Sequence, residues 1–176
     1  MNDFKFDTKR LQLLPFVLED SQEFLLLNNE PFIRKFLWDD ECIDAITADD
    51  IMEQNTKYFE ENQYGLWKIC LKNSEKTIGY VGLWYFFDEP QPQLIYALLE
   101  PFTKRGYATE ASRSVMAYAF EKLGFEYVLA ATDEPHLDSQ RVAQRLGMSF
   151  VEKRMEDNRP TLFYKIEKTD VENDFV

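Results

Sequence analysis

The spacing of hydrophobic residues predicts helices in the first part of the chain and strands after them. An apolar run at 11–18 is typical of a strand, and the acidic residues that follow it suit the positive end of a helix dipole. The sequence Thr-Ala-Asp-Asp at 47–50 resembles a capping box ahead of a second helix. The predicted elements up to residue 99 are a strand at 11–18, a helix from 19 that continues towards 37, a helix from 47 to about 62, and strands at 64–71, 77–86 and 93–99.

Beyond residue 100, helical and strand-like patterns alternate. Apolar residues recur every three or four positions from Ala108 to Leu123, and Gly124 follows where the end of a helix favours positive φ. The predicted elements are a long helix at about 106–123, a strand at 125–132, a short helix at 139–146, and strands at 150–154 and 162–166. Antiparallel hairpins followed by this alternation predict an α/β (α+β) domain. Its mixed, mostly antiparallel sheet is flanked by helices and contains a parallel pair joined by a crossover helix.

The composition favours one globular domain. The chain has 176 residues, 45% of them hydrophobic and 15% aromatic, with no repeat, low-complexity tract or Gly/Ser linker. We expect a single domain over 1–176, with its core at about 8–166 and a mobile tail at about 168–176. Cys42 and Cys70 lack metal-ligand spacing, so we expect reduced thiols and no metal site.

The chain also lacks the usual signals for membranes and secretion. No apolar stretch approaches the roughly 20 residues of a membrane span, and residues 1–10 do not resemble a signal peptide. We therefore expect a cytoplasmic protein, monomeric or homodimeric, that does not bind membranes.

Acidic residues outnumber basic ones by 32 to 20, which gives a formal charge of −12. Such a field repels nucleic acid and attracts cations. The excess is concentrated in the first 70 residues, including the acidic segment at 39–44. It is interpreted either as a solubilising surface or as a rim that attracts a cationic ligand.

The most specific chemical signal is the segment Lys104-Arg105-Gly106-Tyr107-Ala108, between a predicted strand and the long helix. Backbone amides at the start of a helix lack helical partners, and the dipole there is positive, so a pyrophosphate fits this position. Gly106 would let the backbone approach the phosphates, and Lys104 and Arg105 would add positive charge. The alternative is an ordinary turn.

Residues 105–111, Arg-Gly-Tyr-Ala-Thr-Glu-Ala, closely resemble the acyl-CoA-binding signature of the GNAT N-acetyltransferase superfamily. Within this superfamily, the segment most resembles the branch typified by ribosomal-protein N-terminal acetyltransferases. Three other segments are similar to that branch and occur in the same order, so the resemblance spans about 8–166. They are its opening strand at 8–15, its central hairpin at 78–83 and the close of its last helix at 146–150.

The resemblance implies a sheet that is splayed between its fourth and fifth strands, here the strand ending near Leu98 and the strand at 125–132. It also implies acetyl-CoA as the acyl donor, and it identifies the residues that would bind it. The backbone of Leu98, Leu99 and Glu100 would pair with the pantetheine arm, as in β-augmentation. The remaining implied cofactor contacts are Lys104, Arg105, Gly106, Tyr107, Ala108, Thr109, His136 and Ser139.

Several positions depart from the family pattern. Thr103 and Lys104 replace a usual Gln or Arg and a usual glycine, which predicts a stiffer phosphate loop with weaker binding. His136 stands where the family commonly has asparagine, and is either a ligand contact or an exposed loop residue. The tyrosine that protonates the leaving thiolate in many relatives is Ala143, and a glutamate of the branch is Gln93.

These losses leave few catalytic candidates. Ser139, or a water that it holds, is the best substitute for the acid, unless it only satisfies the amides at the start of its helix. Asp88 and Glu89 are the nearest carboxylates for a base, unless they are only turn residues.

The lack of a strong base favours an α-amine acceptor. Deprotonation at pH 7 costs about 4–5 kcal/mol for a lysine amine but only about 1 kcal/mol for an α-amine. Peptide α-amines, polyamines and aminoglycosides all remain open as acceptors, as does a non-catalytic acyl-CoA-binding module. Aromatic residues expected near the acceptor, about two of them facing it, are Phe32, Phe36, Trp38, Trp67, Trp84 and Tyr85.

Overall fold

A computed structural model describes residues 4–74 and 76–173, with side chains up to residue 171. Five antiparallel strands form the first sheet in the order β1-β2-β3-β4-β5. These strands are β1 (Phe6–Asp7), β2 (Leu11–Pro15), β3 (Leu66–Leu71), β4 (Thr77–Trp84) and β5 (Gln93–Leu98). The second sheet has the order β6-β8-β7, also antiparallel, and comprises β6 (Tyr127–Asp133), β7 (Ser149–Glu156) and β8 (Arg159–Glu167).

Helices cover both faces of the first sheet and also contact the second sheet. They are α1 (Ser21–Asn29), α2 (Pro31–Leu37), α3 (Ala45–Asn62), α4 (Tyr107–Glu121), α5 (Leu137–Arg145) and α6 (Lys168–Asn173). Neighbouring strand residues point to opposite faces, so Tyr80 packs with α1 and α3 while Val81 packs with α4. Two buried clusters result, one on each side of the sheet.

The fold class predicted from the sequence is confirmed, including the split. β5 and β6 contact each other, but among the described residues no hydrogen-bond ladder joins them. The two strands that were expected to form a parallel pair, β5 and β6, are therefore separated by an open seam. β1 was not predicted from the sequence, so the strand before the seam is fifth in the chain rather than fourth.

Two predicted boundaries were wrong for identifiable reasons. α1 and α2 are separate helices because Pro31 forces the preceding residue, Glu30, into an extended conformation at φ −61° and ψ 131°. α3 begins at Ala45, because Asp44 caps it and accepts hydrogen bonds from the Thr47 amide and hydroxyl, both at 2.8 Å. The predicted cap at Thr47 is therefore wrong, because Thr47 lies in the first turn of α3, three residues after the N-cap.

Buried Asn28 fixes the loop after α2 to the first sheet. Its Oδ1 accepts hydrogen bonds from Trp38 Nε1 and from the Tyr80 hydroxyl, each at 2.8 Å. Trp38 directly precedes Asp39, so this contact determines where the acidic segment at 39–44 begins.

The C-terminal segment forms α6 through Asn173, while 174–176 lie outside the described residues. The mobility expected for 168–176 stays a prediction. No helix in the described ranges is long and apolar enough to cross a bilayer.

Candidate active site

A cleft opens along the seam between β5 and β6. Its volume is about 600 Å³, within the roughly 300–1,000 Å³ of small-molecule sites. Side-chain hydrogen bonds bridge the seam at two places near β5 and β6. Gln91 Nε2 donates to the Tyr127 carbonyl at 2.6 Å, and the Tyr96 hydroxyl lies 3.0 Å from Ser139 Oγ.

The turn before α4 forms one end of this cleft. Lys104 and Gly106 both have left-handed backbones, at φ 59° and 79°, and Gly106 is the N-cap of α4. Within the described chain, the amide hydrogens of 104–109 have no hydrogen-bond acceptor. The helix dipole adds positive potential at the same place, so the turn suits an anionic group such as a diphosphate.

The space above Gly106 is open. A Cβ at this position would lie 3.4 Å from a guanidinium nitrogen of Arg10 and would meet no other neighbour within 4 Å. The positive φ, rather than crowding, therefore favours glycine. Lys104 adopts a similar conformation without being glycine, at a cost of about 1–2 kcal/mol. Weaker binding by this loop stays a prediction.

A clamp of three side chains holds the start of β2 against this turn. Glu110 accepts from Thr8 Oγ1 at 2.6 Å, from the Arg10 amide at 2.8 Å and from Arg10 Nε at 2.6 Å. Arg10 also donates to the Arg105 carbonyl at 2.9 Å and lies over the Tyr107 ring. Burial opposes the charge on Glu110, but the bonds from Thr8 and Arg10 outweigh it and lower its pKa.

Charge is separated along the cleft. Cations line the end beside the turn, namely Lys104, Arg141 and Arg145, with Asp138 paired to the first two. Carboxylates form a second group, called here the acidic end, namely Asp39, Asp133, Glu156 and Asp157, with Arg159 paired to the first two. This polarity suits an anionic ligand at one end and an ammonium at the other.

Thr109 offers a further test of whether a ligand fits the basic end. Thr109 lines the cleft, and its hydroxyl is buried and has no hydrogen-bond partner among the described residues. Buried polar atoms are normally satisfied, so an acceptor in the cleft would supply a missing partner. The residues present therefore fit a phosphate-bearing ligand.

The cleft-facing edge of β5 is only partly as predicted. The Leu99 amide donates to the Ile78 carbonyl at 2.9 Å, so it faces β4 and is not free for a pantetheine arm. Backbone groups alternate along a strand, which turns the Leu98 amide towards the seam. Of the predicted contacts, Leu98, Lys104, Gly106, Tyr107, Ala108, Thr109, His136 and Ser139 line the cleft, whereas the structure places Leu99, Glu100 and Arg105 outside its lining.

Ser139 shares its site with Tyr96, which the sequence analysis did not single out. The Tyr96 hydroxyl lies 3.0 Å from both the hydroxyl and the carbonyl of Ser139. Burial raises the pKa of Tyr96 to about 12, so the hydroxyl remains protonated at neutral pH. Ala143 is buried in the core, and Tyr96 reaches the cleft from the opposite wall.

Neither carboxylate proposed as a base lies in the cleft. Glu89 is almost buried, with 9% of its side chain exposed, and is paired with Arg154 at 2.5 Å. Asp88 is likewise absent from the lining. Gln93 is a structural residue. Its Oε1 accepts from the Phe86 amide at 2.6 Å, and its Nε2 donates to the Gln91 carbonyl.

Two other titratable groups line the acidic end. Burial lowers the pKa of His136, with Asp138 opposing and Lys35 reinforcing the shift, so the imidazole is neutral at pH 7. Burial raises the pKa of Asp133, against the effect of Arg159 and with a further increase from Asp39. The lowered pKa leaves the His136 imidazole unprotonated, whereas the raised pKa makes Asp133 bind a proton more readily than an ordinary aspartate does.

Two of the six aromatic residues expected near the acceptor line the cleft. They are Phe32 and Phe36, and the Phe36 ring stacks on His136 at 3.6 Å between centroids. Trp67 is core, while Trp84 and Tyr85 pack against Tyr58.

The acetyltransferase (GNAT) domain model matches residues 10–149, which is well over half of the chain. The protein belongs to the GNAT acetyltransferase family. The resemblance inferred from the sequence is thereby confirmed.

Individual relatives are distant. The uncharacterized N-acetyltransferase YnaD of Bacillus subtilis is 21% identical over 145 residues, which are 80% of each chain. An acetyltransferase from Agrobacterium tumefaciens superposes with a TM-score of 0.80 at 21% identity, over 93% of this chain and 94% of that one. The ribosomal-protein-S5-alanine acetyltransferase from Vibrio fischeri gives 0.74 at 15% identity, over 94% and 97%. At these identities the solved structures show a shared fold.

Three features of this acetyltransferase were missed from sequence. In the sequence, Tyr96 resembles one more apolar residue of its strand. A tyrosine in a buried strand nevertheless indicates a polar contact, because its hydroxyl needs a hydrogen-bond partner. Asp133 stands at the end of a predicted strand, where side chains reach a cleft. The bond between Thr8 and Glu110 joins two segments of the GNAT resemblance, but nothing in either segment indicates their contact.

Replacing Gly106 by glutamate is expected to abolish acetyl-CoA binding while the fold persists. The carboxylate would bring negative charge beside the anion site, and of the described residues only Arg10 lies within 4 Å of its Cβ position. Gly124→Glu is a matched control, because Gly124 also has positive φ, at 71°, and nothing lies within 4 Å of its Cβ position. Calorimetry should show at least about 100-fold weaker binding for Gly106→Glu alone, with circular dichroism unchanged. Equal affinity in both variants would refute this placement.

Proposed function

We propose that this acetyltransferase moves the acetyl group of acetyl-CoA to a primary amine, and that the acceptor is an α-amine such as a peptide N-terminus. This proposal rests on two features of the seam. The amides of 104–109 have no hydrogen-bond partner in the part of the chain that the structure describes, and carboxylates line the acidic end. An anion site and a cation site joined by one cleft match a donor that bears phosphates and an acceptor that bears an ammonium.

The basic end would hold the donor. The amides of the turn, the Thr109 hydroxyl and the nearby cations would bind the diphosphate, and the Leu98 amide would meet the pantetheine arm. Bound acetyl-CoA supplies the acetyl group, whose carbonyl carbon the amine nitrogen attacks as the carbon–sulfur bond breaks. Direct attack needs chiefly that both ligands are held in position, which the cleft provides.

The acidic end would receive the amine. An α-amine of pKa about 7.7–8.0 is partly neutral at pH 7, so little free energy is needed to deprotonate it. His136 is neutral in the cleft and would accept the proton that the nitrogen releases. Because burial lowers its pKa, the imidazole loses this capacity only below its ordinary pH range.

Tyr96 and Ser139 would stabilise the departing thiolate. A phenol of pKa about 12 does not give its proton to a thiolate of pKa about 8.5. Its contribution is instead a hydrogen bond to the negative sulfur, in which Ser139 Oγ takes part as the neighbouring hydroxyl. This pair would replace the tyrosine that the family carries at the position of Ala143.

An acceptor panel tests the reaction. Peptides with free α-amines should release free thiol from acetyl-CoA with higher kcat/KM than polyamines or aminoglycosides, because their amines are more readily deprotonated. Acetylated peptide should appear at the same rate by mass spectrometry. Preference for a polyamine or aminoglycoside would make the protein a small-molecule acetyltransferase. Binding of acetyl-CoA without turnover on any amine would make it an acyl-CoA-binding module.

Tyr96→Phe and Ser139→Ala should each lower kcat by about 10- to 100-fold, since a hydrogen bond to a charged group contributes about 1.5–3 kcal/mol. The dissociation constant for acetyl-CoA should change little. Tyr127→Phe is the control, because Tyr127 lies on β6 and outside the lining of the cleft. Stopped-flow turnover at saturating donor measures the effect. Full activity in Tyr96→Phe would remove the hydroxyl from the mechanism.

A further inference from the structure

We propose that the acidic end of the cleft selects amines that carry a large apolar group next to the nitrogen, such as peptides that begin with Phe or Leu. The proposal rests on the acetyl transfer proposed above and names its acceptor class. It is carried by four phenylalanines that line this end, called here the aromatic wall. They are Phe32, Phe36, Phe86 and Phe87.

The aromatic wall comes from two separate parts of the chain. Phe32 and Phe36 extend from α2, and Phe86 and Phe87 from the connection between β4 and β5. The latter two remain 36% and 38% exposed, and their ring centroids are 6.4 Å apart. Adjacent exposed aromatic rings inside a cleft are typical of surfaces that bind apolar ligands.

Contacts behind the wall hold part of it in place. The Phe87 ring packs edge-on against Phe163 at 5.3 Å, and the Arg154 guanidinium lies 4.1 Å from the centre of the Phe163 ring. Arg154 is in turn paired with Glu89. Glu89, first considered as a base, therefore positions the connection that carries Phe86 and Phe87. A wall organised before binding loses less entropy when a ligand arrives.

One half of the wall, Phe32 and Phe36, directly adjoins the proposed proton acceptor. Phe36 stacks on His136 at 3.6 Å with an interplanar angle of 8°, and Phe32 meets the same ring edge-on at 6.5 Å. An amine nitrogen at His136 would therefore place a substituent on its adjacent carbon against these phenyl rings. The structure assigns the wall to the group nearest the nitrogen, and not to a distant part of the acceptor.

Carboxylates beside the wall provide the attraction for the ammonium. Arg159 bridges Asp39 at 2.5 Å and Asp133 at 3.5 Å, so an ammonium would compete with this guanidinium for the same two groups. The wall itself offers no hydrogen-bond acceptor. Hydroxyl-rich amines would lose hydration there without replacement, whereas an apolar side chain gains from burial.

A peptide series on the unmodified protein tests the selection. Four tripeptides that differ only in the first residue, with Phe, Leu, Ala or Ser followed by Gly-Gly, are compared by kcat/KM at saturating acetyl-CoA. We expect the Phe and Leu peptides to exceed the Ala and Ser peptides by about 10- to 100-fold, the range usual for apolar pockets. Equal values, or a preference for Ala or Ser, would overturn the proposal.

A pair of variants locates the selection. Phe86→Ala should reduce the advantage of the Phe peptide over the Ser peptide by about 10-fold while the Ser peptide changes little. Phe150→Ala is the matched control, because Phe150 is an exposed phenyl on β7 and outside the cleft. If Phe86→Ala unfolds, Phe86→Leu provides the same comparison with a smaller change. An unaltered advantage in a folded variant would contradict the assignment to the wall.

Measurements of acceptor binding distinguish the selection by the wall from the proposed acetyl transfer. Calorimetry of the Phe and Ser tripeptides in the presence of coenzyme A measures acceptor affinity without turnover. Tighter binding of the Phe peptide without acetylation of any amine would support the wall and refute acetyl transfer. Acetylation of all four peptides with equal affinities would support acetyl transfer and refute the wall.

Discussion

The unpaired amide hydrogens at the start of α4 are the constraint on which the rest of the site depends. A helix start leaves these donors without partners, and the left-handed residues Lys104 and Gly106 lie in the turn that lines the cleft. Had a side chain capped them, the positive end of the helix would be neutralised by the protein itself. The clamp of Thr8, Arg10 and Glu110 braces this turn without using its amide hydrogens.

The seam between the two sheets gives those donors a ligand-sized space to face. β5 and β6 do not pair along their length. Gln91 joins their starts, and the hydroxyl of Tyr96 on β5 reaches Ser139 on α5. Further links span the sheets at the acidic end, through Glu89 with Arg154 and through Phe87 with Phe163. The cleft is thus open along its length but fixed at its margins, so that two ligands can be held against each other.

Sequence reasoning was reliable where the signal is local. The alternation of strands and helices, the glycine turn and the start of α4 all follow from spacing within a few residues. It was less reliable for the catalytic groups, because these depend on contacts between distant segments. Glu89 resembles a free carboxylate until Arg154 is seen beside it, and Asp39 joins the site only through Arg159. The direction of the Leu99 amide could not be predicted either, because it depends on how β5 is aligned with β4. The amide donates to the Ile78 carbonyl and therefore faces β4.

A crystal structure of the protein with coenzyme A tests the central claim most directly. We expect the diphosphate oxygens to lie at about 3 Å from amide nitrogens of the turn at 104–109, the usual length of such hydrogen bonds, with the pantetheine arm in the seam beside Leu98. A diphosphate bound elsewhere on the protein, with these amides facing only solvent, would contradict the account.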